Sequence, residues 1–375
     1  MTALTGLELR STITAGGELR LELEEVTVPD PGPDEVVIKV EAAPINPSDL
    51  GLLIGPADLS TMQASGTPDR PVITAHVPTK RMTAVTARLD QSLAVGNEGA
   101  GTVVAAGVNA THLLGKQVGA MGLAMYAEYC VVPASGCSVL PDGATAADGA
   151  AMFVNPLTAL SMVETMRSEG HTAIVHTAAA STLGQMLLRV CLADGIDLVA
   201  IVRNQEQVAL LREAGATHVL DSTADDFDEA LADAITTTGA TIAFDAIGGG
   251  TLAGQILHAM EVGINRRGDG TYSRYGSDAK KQVYIYGGLD LGPTVLTRTF
   301  GMSWSCGGWL LMPFLAAAGP EVEQRLRRRV VDELTTLFVS DYAHRITLTE
   351  ALQPEVLAKY VRKQTGEKYL IVSPD

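Results

Sequence analysis

Between Thr172 and Arg203 the spacing of apolar residues changes character three times. A short apolar run, TAIV at 172–175, gives way to the small-residue stretch TAAASTLG at 177–184. In the next segment, QMLLRVCLADG at 185–195, Met186, Leu187, Val190, Cys191 and Leu192 recur at the spacing of one broad helical stripe. A second apolar run, DLVAIV, then ends just before Arg203. The pattern predicts strand, tight loop, helix and strand, the layout of a mononucleotide-binding βαβ unit. In such a unit a phosphate group rests on free backbone N–H groups at the helix start.

Before this unit the chain reads as short strands cut by Gly and Pro: EVVIKVEAA at 35–43, GTVVAAG at 101–107, KQVGAMG at 116–122 and MYAEYCVVP at 125–133. After Pro141 strands and helices alternate. Strand-like runs lie at 217–220, 241–246 and 282–287, with helical segments near 205–214, 226–236 and 251–261. That alternation predicts a parallel sheet covered on both faces. The tail predicts a helix over 321–338, a short strand at Arg345–Leu348, a helix near 354–363 and a last strand, KYLIV, that returns to the first domain's sheet. Two segments carry no clear period: Pro56 to about Val95, which has room for a helix or hairpin that the pattern does not place, and GINRRGDGTYSRYGSDAKK at 263–281. The second concentrates Arg266, Arg267, Arg274, Lys280 and Lys281. It is read as a solvated surface excursion, with contact to an anionic ligand as the alternative.

A formal net charge of -16 over 375 residues argues against nucleic acid or an anionic membrane as the main partner. The length suggests two domains. Cys130, Cys137, Cys191 and Cys306 form no Cys-x-x-Cys pair, which fits a reducing compartment. The first residues, MTALTGLELRS, lack the regions of a signal peptide, and no apolar run is long enough to span a bilayer, so a cytoplasmic location is expected.

The dinucleotide fingerprint Gly-x-Gly-x-x-Gly falls here on Ala179, Ser181 and Gly184, keeping only the glycine needed for close helix packing. An NAD site generally has Asp or Glu about 20 residues on, for the ribose 2′-hydroxyl. This chain has Arg203 and Asn204, and no carboxylate before Glu206. A guanidinium matches a 2′-phosphate in charge and geometry, so the expected cofactor is NADP(H).

Four further motifs run through the chain: AAPINPSDLGLLIG at 42–55, VGNEGAGTVVAAG at 95–107, YAEYCVVPASGCSVLPDGAT at 126–145 with NPLTAL at 155–160, and PEVLAKYVRKQTGEKYLIV at 354–372. In order and spacing they resemble the medium-chain dehydrogenase/reductases, in the zinc-free quinone oxidoreductase and 2-enoyl thioester reductase branch. The resemblance implies an α/β protein in which a GroES-like β-barrel catalytic domain, 1–152 and 309–375, carries an inserted Rossmann domain, 153–308, with the cofactor in the cleft. It also implies a homodimer. Zinc-dependent relatives place Cys and His where this chain has Asn46 and Asn97, and a neutral amide is a poor Zn²⁺ ligand, so no metal is expected. The electrophile must then be activated by its own conjugation, as in a quinone or an α,β-unsaturated carbonyl. The alternatives are 2-enoyl thioester reduction and a catalytically quiet NADPH-binding or sensing protein.

The resemblance carries specific residues with it. Asn46 would line the site near the nicotinamide ribose, with an Asx-turn before Pro47 as the simpler role. Thr158 would pack on the nicotinamide, or serve as a helix N-terminal threonine. Ser181, Thr182 and Leu183 would offer N–H groups to the pyrophosphate, and Ser181 a hydroxyl as well, with Gly184 behind them. Gly248, Tyr286, Gly287 and Gly288 end strand runs at the edge where ligands bind. Lys368 matches a lysine that reaches toward the cofactor. Enoyl thioester reductases usually carry a Tyr just after the first signature, where this chain has Gly55-Pro56-Ala57-Asp58. Tyr126, expected at the cleft mouth, is the substitute proton donor, with a half-buried barrel aromatic as its other role.

Overall fold

Period-two alternation builds the first sheet. Leu19, Leu21 and Leu23 of strand Glu18–Thr27 are buried, and across an antiparallel ladder they face strand Thr5–Ile13, with Leu9 opposite Leu23 and Ile13 opposite Leu19. The computed structural model describes residues 4–268 and 273–373. These two strands join Asp58–Thr67, Arg70–His76 and Leu93–Ala94 in a five-stranded sheet. A second sheet is centred on Glu35–Pro44, which pairs antiparallel with Glu98–Ala106, with Tyr129–Pro133 and with the last strand, Tyr369–Val372. Leu9, Leu21, Ile38, Val103, Val118 and Ile371 from both sheets enter one core. The terminal strand returns as expected because Leu370 and Ile371 are apolar on both faces and bury only inside a sheet.

The second unit is a parallel sheet. Its strands lie in the order His218–Asp221, Asp197–Val202, Ala173–His176, Ile242–Asp245, Lys281–Ile285 and Trp304–Gly308. The chain starts in the middle, builds to one side and then crosses to the other. The order therefore reverses beside Ala173–His176, and ligands of such sheets bind at the carboxyl ends of the strands there. Helix Thr182–Asp194 follows that first strand directly.

One boundary changes and two segments find their places. The compact units are Met1–Val154 with Arg327–Asp375, and Asn155–Leu326, so the return segment begins later than 309. Residues 309–326 are held to the second unit by helix Val154–Ser168. The Trp309 indole donates to Thr165 at 3.2 Å, and the Arg325 guanidinium bonds Glu164 at 3.1 and 2.8 Å. Residues 56–95, where a helix or hairpin had no assignable place, hold the hairpin Asp58–Thr67/Arg70–His76 and a turn of helix at Thr79–Met82. In the described part of 263–281, which leaves out 269–272, residues 265–268 and 273–275 are exposed as a solvated segment would be, while its two ends are buried. Helix Leu252–Arg267 includes the first five, Arg266 pairs with Glu229 and Asp233, and Lys281 is fully buried against Glu261.

Candidate cofactor and active site

The loop after strand Ala173–His176 is shaped by its own backbone. Ala178 adopts a positive φ of 49°, the Ala179 amide donates to Ile201 at 3.1 Å, and the Ser181 amide donates to Ala178 at 3.0 Å. Ser181 caps helix Thr182–Asp194, its hydroxyl oxygen accepting from the Gly184 amide at 3.2 Å. The expectation for Ser181 is corrected in one respect: its N–H is already used inside the loop. Its hydroxyl proton stays available, and Thr182 and Leu183 occupy the first helical turn, whose amides have no intrahelical acceptor. Those amides fit a phosphate at the positive end of the helix. A Cβ on Gly184 would stand 2.2 Å from the Ala179 carbonyl oxygen, so only glycine lets the helix come this close to the loop.

Arg203 is exposed directly after strand Asp197–Val202. Its amide donates to Gln207 at 3.2 Å, while Asn204 caps the next helix, so the turn is pinned and the guanidinium extends from a fixed base. At the carboxyl ends of the next strands, fully buried Asp245 accepts from the Thr177 hydroxyl at 2.7 Å and from the amides of Ile247 and Gly248 at 2.9 and 3.1 Å. Gly248, at φ 83°, therefore shapes the turn with its amide already engaged. Gly287 lies against Ala246, where a Cβ would be 2.5 Å from the carbonyl oxygen, and Gly288 is exposed. The Tyr286 hydroxyl meets Nε2 of buried His176 at 2.8 Å, with the rings stacked. Burial pulls His176 down to about 3, so the ring is neutral and holds the phenol by one hydrogen bond. Thr158 is buried in the second turn of helix Val154–Ser168, past the N-terminal position considered for it.

The first unit holds a separate polar cluster. Asn46 is 2% exposed, and its Nδ2 donates to Glu98 Oε1 at 2.7 Å. The other Glu98 oxygen accepts the amides of Phe153 and Val154 at 2.8 and 2.9 Å. The Asx-turn considered for Asn46 is not made by its side chain. Asp49 closes that turn instead, accepting from the amides of Asn46 at 2.8 Å and Asn97 at 2.9 Å. Burial raises Asp49 to about 6 and also raises Glu98. Asn46 Oδ1 is buried with no partner among the described residues. Leaving such an acceptor unpaired costs about 1–3 kcal/mol, which a ligand hydroxyl or amide would recover. Half-buried Lys368 lies over the Tyr342 ring at 5.1 Å with Ser340 at 3.4 Å from its Nζ. Burial lowers its ammonium to about 8, against the pull of Glu98, Asp49 and Asp341.

Tyr126 is corrected. It has no exposed surface, its hydroxyl donates to the Pro44 carbonyl at 3.0 Å, and burial pushes the phenol well above its ordinary value. The ring packs at the backbone of Gly96 inside the barrel core, which matches the barrel-aromatic role considered for it and not a position at an open mouth. Glu98, Asp49 and His176 were passed over by sequence reasoning. Asp49 and Glu98 stand inside the motifs NPSD and GNEGAG, where a carboxylate next to an asparagine-bearing turn or between Asn97 and Gly99 was a usable signal.

Residues 32–142 match the model of the alcohol dehydrogenase GroES-like domain, and residues 182–276 match that of the zinc-binding dehydrogenases. A candidate NADPH:quinone reductase of Mesorhizobium loti is 28% identical and superposes over 100% of both chains with a TM-score of 0.74. The chain belongs to the medium-chain dehydrogenase/reductase superfamily. A superfamily relative, the mitochondrial enoyl-[acyl-carrier-protein] reductase of Xenopus tropicalis, is 30% identical over 211 residues, 53% of this chain and 51% of that protein. The chain spans about half the length of the curated relatives it matches first. A mutant enoyl thioester reductase of Candida tropicalis shares the superfamily fold at 19% identity, with a TM-score of 0.66 over 99% of this chain and 100% of that one. At the two positions where zinc-dependent superfamily members place ligands, both amides already donate, Asn46 to Glu98 and Asn97 Nδ2 to Ser48 at 3.1 Å.

Proposed function

We propose that this protein is a zinc-independent, NADPH-dependent reductase that delivers a hydride to a quinone or to the C=C bond of an α,β-unsaturated carbonyl. The observation that carries the proposal is Arg203, exposed on a pinned turn at the end of the second strand where a carboxylate would read an unphosphorylated ribose. The likeness to a candidate NADPH:quinone reductase supports it.

Bound NADPH supplies the hydride. Thr182, Leu183 and the Ser181 hydroxyl would hold the pyrophosphate, Arg203 the 2′-phosphate, and Asn46 and Lys368 the nicotinamide-ribose end. Gly184, Gly248, Gly287 and Gly288 give the backbone its shape, and Thr158 and Tyr286 supply surface to pack on. With Tyr126 committed to the core, protonation of the product oxygen is left to water. That favours a quinone or enone over a thioester, whose reduction calls for a placed acid. The edge strand Trp304–Gly308, with Met302 and Leu310 exposed near it, supports a homodimer formed across that edge.

In the decisive test, Arg203→Ala weakens NADPH binding by about 10- to 100-fold while NADH binding changes little, since charge-assisted hydrogen bonds are lost from one ligand only. Calorimetry showing equal or tighter NADH binding to the wild type, untouched by the substitution, would overturn the assignment. Stopped-flow oxidation of NADPH by a panel of quinones, enones and enoyl thioesters then identifies the acceptor class.

Lys368 adds a pH dependence. The folded protein holds its ammonium at about 8, below the ordinary lysine value of 10.5, so its positive charge fades as pH rises through 8. NADPH affinity measured from pH 6.5 to 9.5 should fall across that window in the wild type. Lys368→Met should bind more weakly throughout and show no such step. The sign for the apo protein is opposite. Its lowered pKa means stability is gained as pH rises between 8 and 10.5, so the same variant should be slightly more stable at pH 7.

A further inference from the structure

Glu98 has no exposed surface, yet it decides which way the Asn46 amide points. Oε2 is filled by the amides of Phe153 and Val154, which accept no other arrangement because an N–H can only donate. As a carboxylate, Glu98 keeps Oε1 toward Asn46 as an acceptor and takes the NH2 end of that amide, at 2.7 Å. The consequence is that Oδ1 is left buried without a partner. Resting on the NADPH reading above, we infer that Glu98 is a positioning residue for the cofactor: it locks Asn46 so that a hydrogen-bond acceptor, never a donor, is offered to the nicotinamide-riboside half.

The polarity of the pair can be inverted with almost no change of shape. In Glu98→Gln the side-chain carbonyl must stay on the Phe153 and Val154 amides, which turns the new NH2 toward Asn46. Asn46 must then flip to accept from it, and its own NH2 is presented to the ligand in place of Oδ1. A second substitution, Asn46→Asp, removes that donor. The introduced carboxylate accepts from the new amide at position 98 with one oxygen and offers the other, and the pair again carries one negative charge near Lys368.

The test compares NADPH with 2′,5′-ADP, which carries the 2′-phosphate but no nicotinamide riboside, by calorimetry on the wild type, E98Q and N46D/E98Q, with thermal unfolding alongside. We expect E98Q to weaken NADPH by about tenfold or more, the loss of one hydrogen bond and its replacement by a mismatch. Binding of 2′,5′-ADP should be unchanged, and the double variant should recover NADPH affinity to within about threefold of the wild type, the remainder reflecting small packing shifts that additive single changes would not erase. Unchanged NADPH binding in E98Q, equal loss of both ligands, or no recovery in N46D/E98Q would each overturn the role given to Glu98. Failure of the wild type to bind either ligand would instead remove the NADPH reading, and this inference with it.

Discussion

Lys281→Met is expected to lower the unfolding free energy by about 3–5 kcal/mol, the cost of leaving a buried charge without its partner. Lys281 is fully buried, with its ammonium 2.7 Å from Glu261 and donating to the Ser277 hydroxyl and the Ala279 carbonyl at 2.9 Å each. Glu261 also accepts from the Ser277 amide at 2.8 Å and the Ser277 hydroxyl at 2.6 Å. The network ties helix Leu252–Arg267 to the segment that feeds strand Lys281–Ile285. Burial alone would push Glu261 up, but the bonds from Lys281 and Ser277 outweigh it and bring it down to about 2. A carboxylate held below its unfolded value stabilises above about pH 4.5, and that stability is lost as pH falls toward 2. In Lys281→Met burial dominates Glu261, so the dependence should reverse and acidification toward pH 5 should partly restore stability. Urea unfolding at pH 5 and pH 8 checks both the size and the sign. The double variant Lys281→Met/Glu261→Met should recover most of the loss, because replacing both members of a buried pair by apolar side chains is often near neutral.

Gly184→Ala is the largest effect expected on binding, a loss of NADPH affinity of about 100-fold or more, as the hydrogen bonds to the phosphate go together. The added Cβ would lie 2.2 Å from the Ala179 oxygen and 2.6 Å from its carbonyl carbon. Neither atom can retreat, since the Ala179 amide is bonded to Ile201 and Ser181 is bonded to Ala178 on either side. The helix must back away, withdrawing the amides of Thr182 and Leu183 from the phosphate position. Gly51→Ala, where a Cβ meets nothing within 4 Å, should leave binding unchanged. Fluorescence titration with NADPH would measure both, and wild-type affinity in Gly184→Ala would remove this loop from the cofactor site.

How much of this was legible beforehand depended on what each segment buries. The βαβ unit was readable because its strands are apolar on both faces and its helix on one, so residues 172–203 announce their periods without neighbours. Strands Thr5–Ile13 and Glu18–Thr27 were readable too, through the alternation of Leu19, Leu21 and Leu23, but were passed over. The hairpin strand Asp58–Thr67 was not readable. Its residues are nearly all exposed or half-exposed, so it carries no apolar period, and it is a strand only because its backbone groups find partners on Arg70–His76.

The chain's own pattern was enough to determine two kinds of segment, a βαβ unit and a β-rich unit, and to set a guanidinium after the second strand of the first. Those are properties of residues close together in sequence, where period and spacing are physical constraints in themselves. Only the tertiary structure decided that Tyr126 is buried, that Lys281 is half of an ion pair, and that Glu98 turns Asn46. Each of these depends on which groups the fold brings within 3 Å across tens of residues of chain, and a side chain's burial and its partners are set by that meeting and by nothing local to the residue.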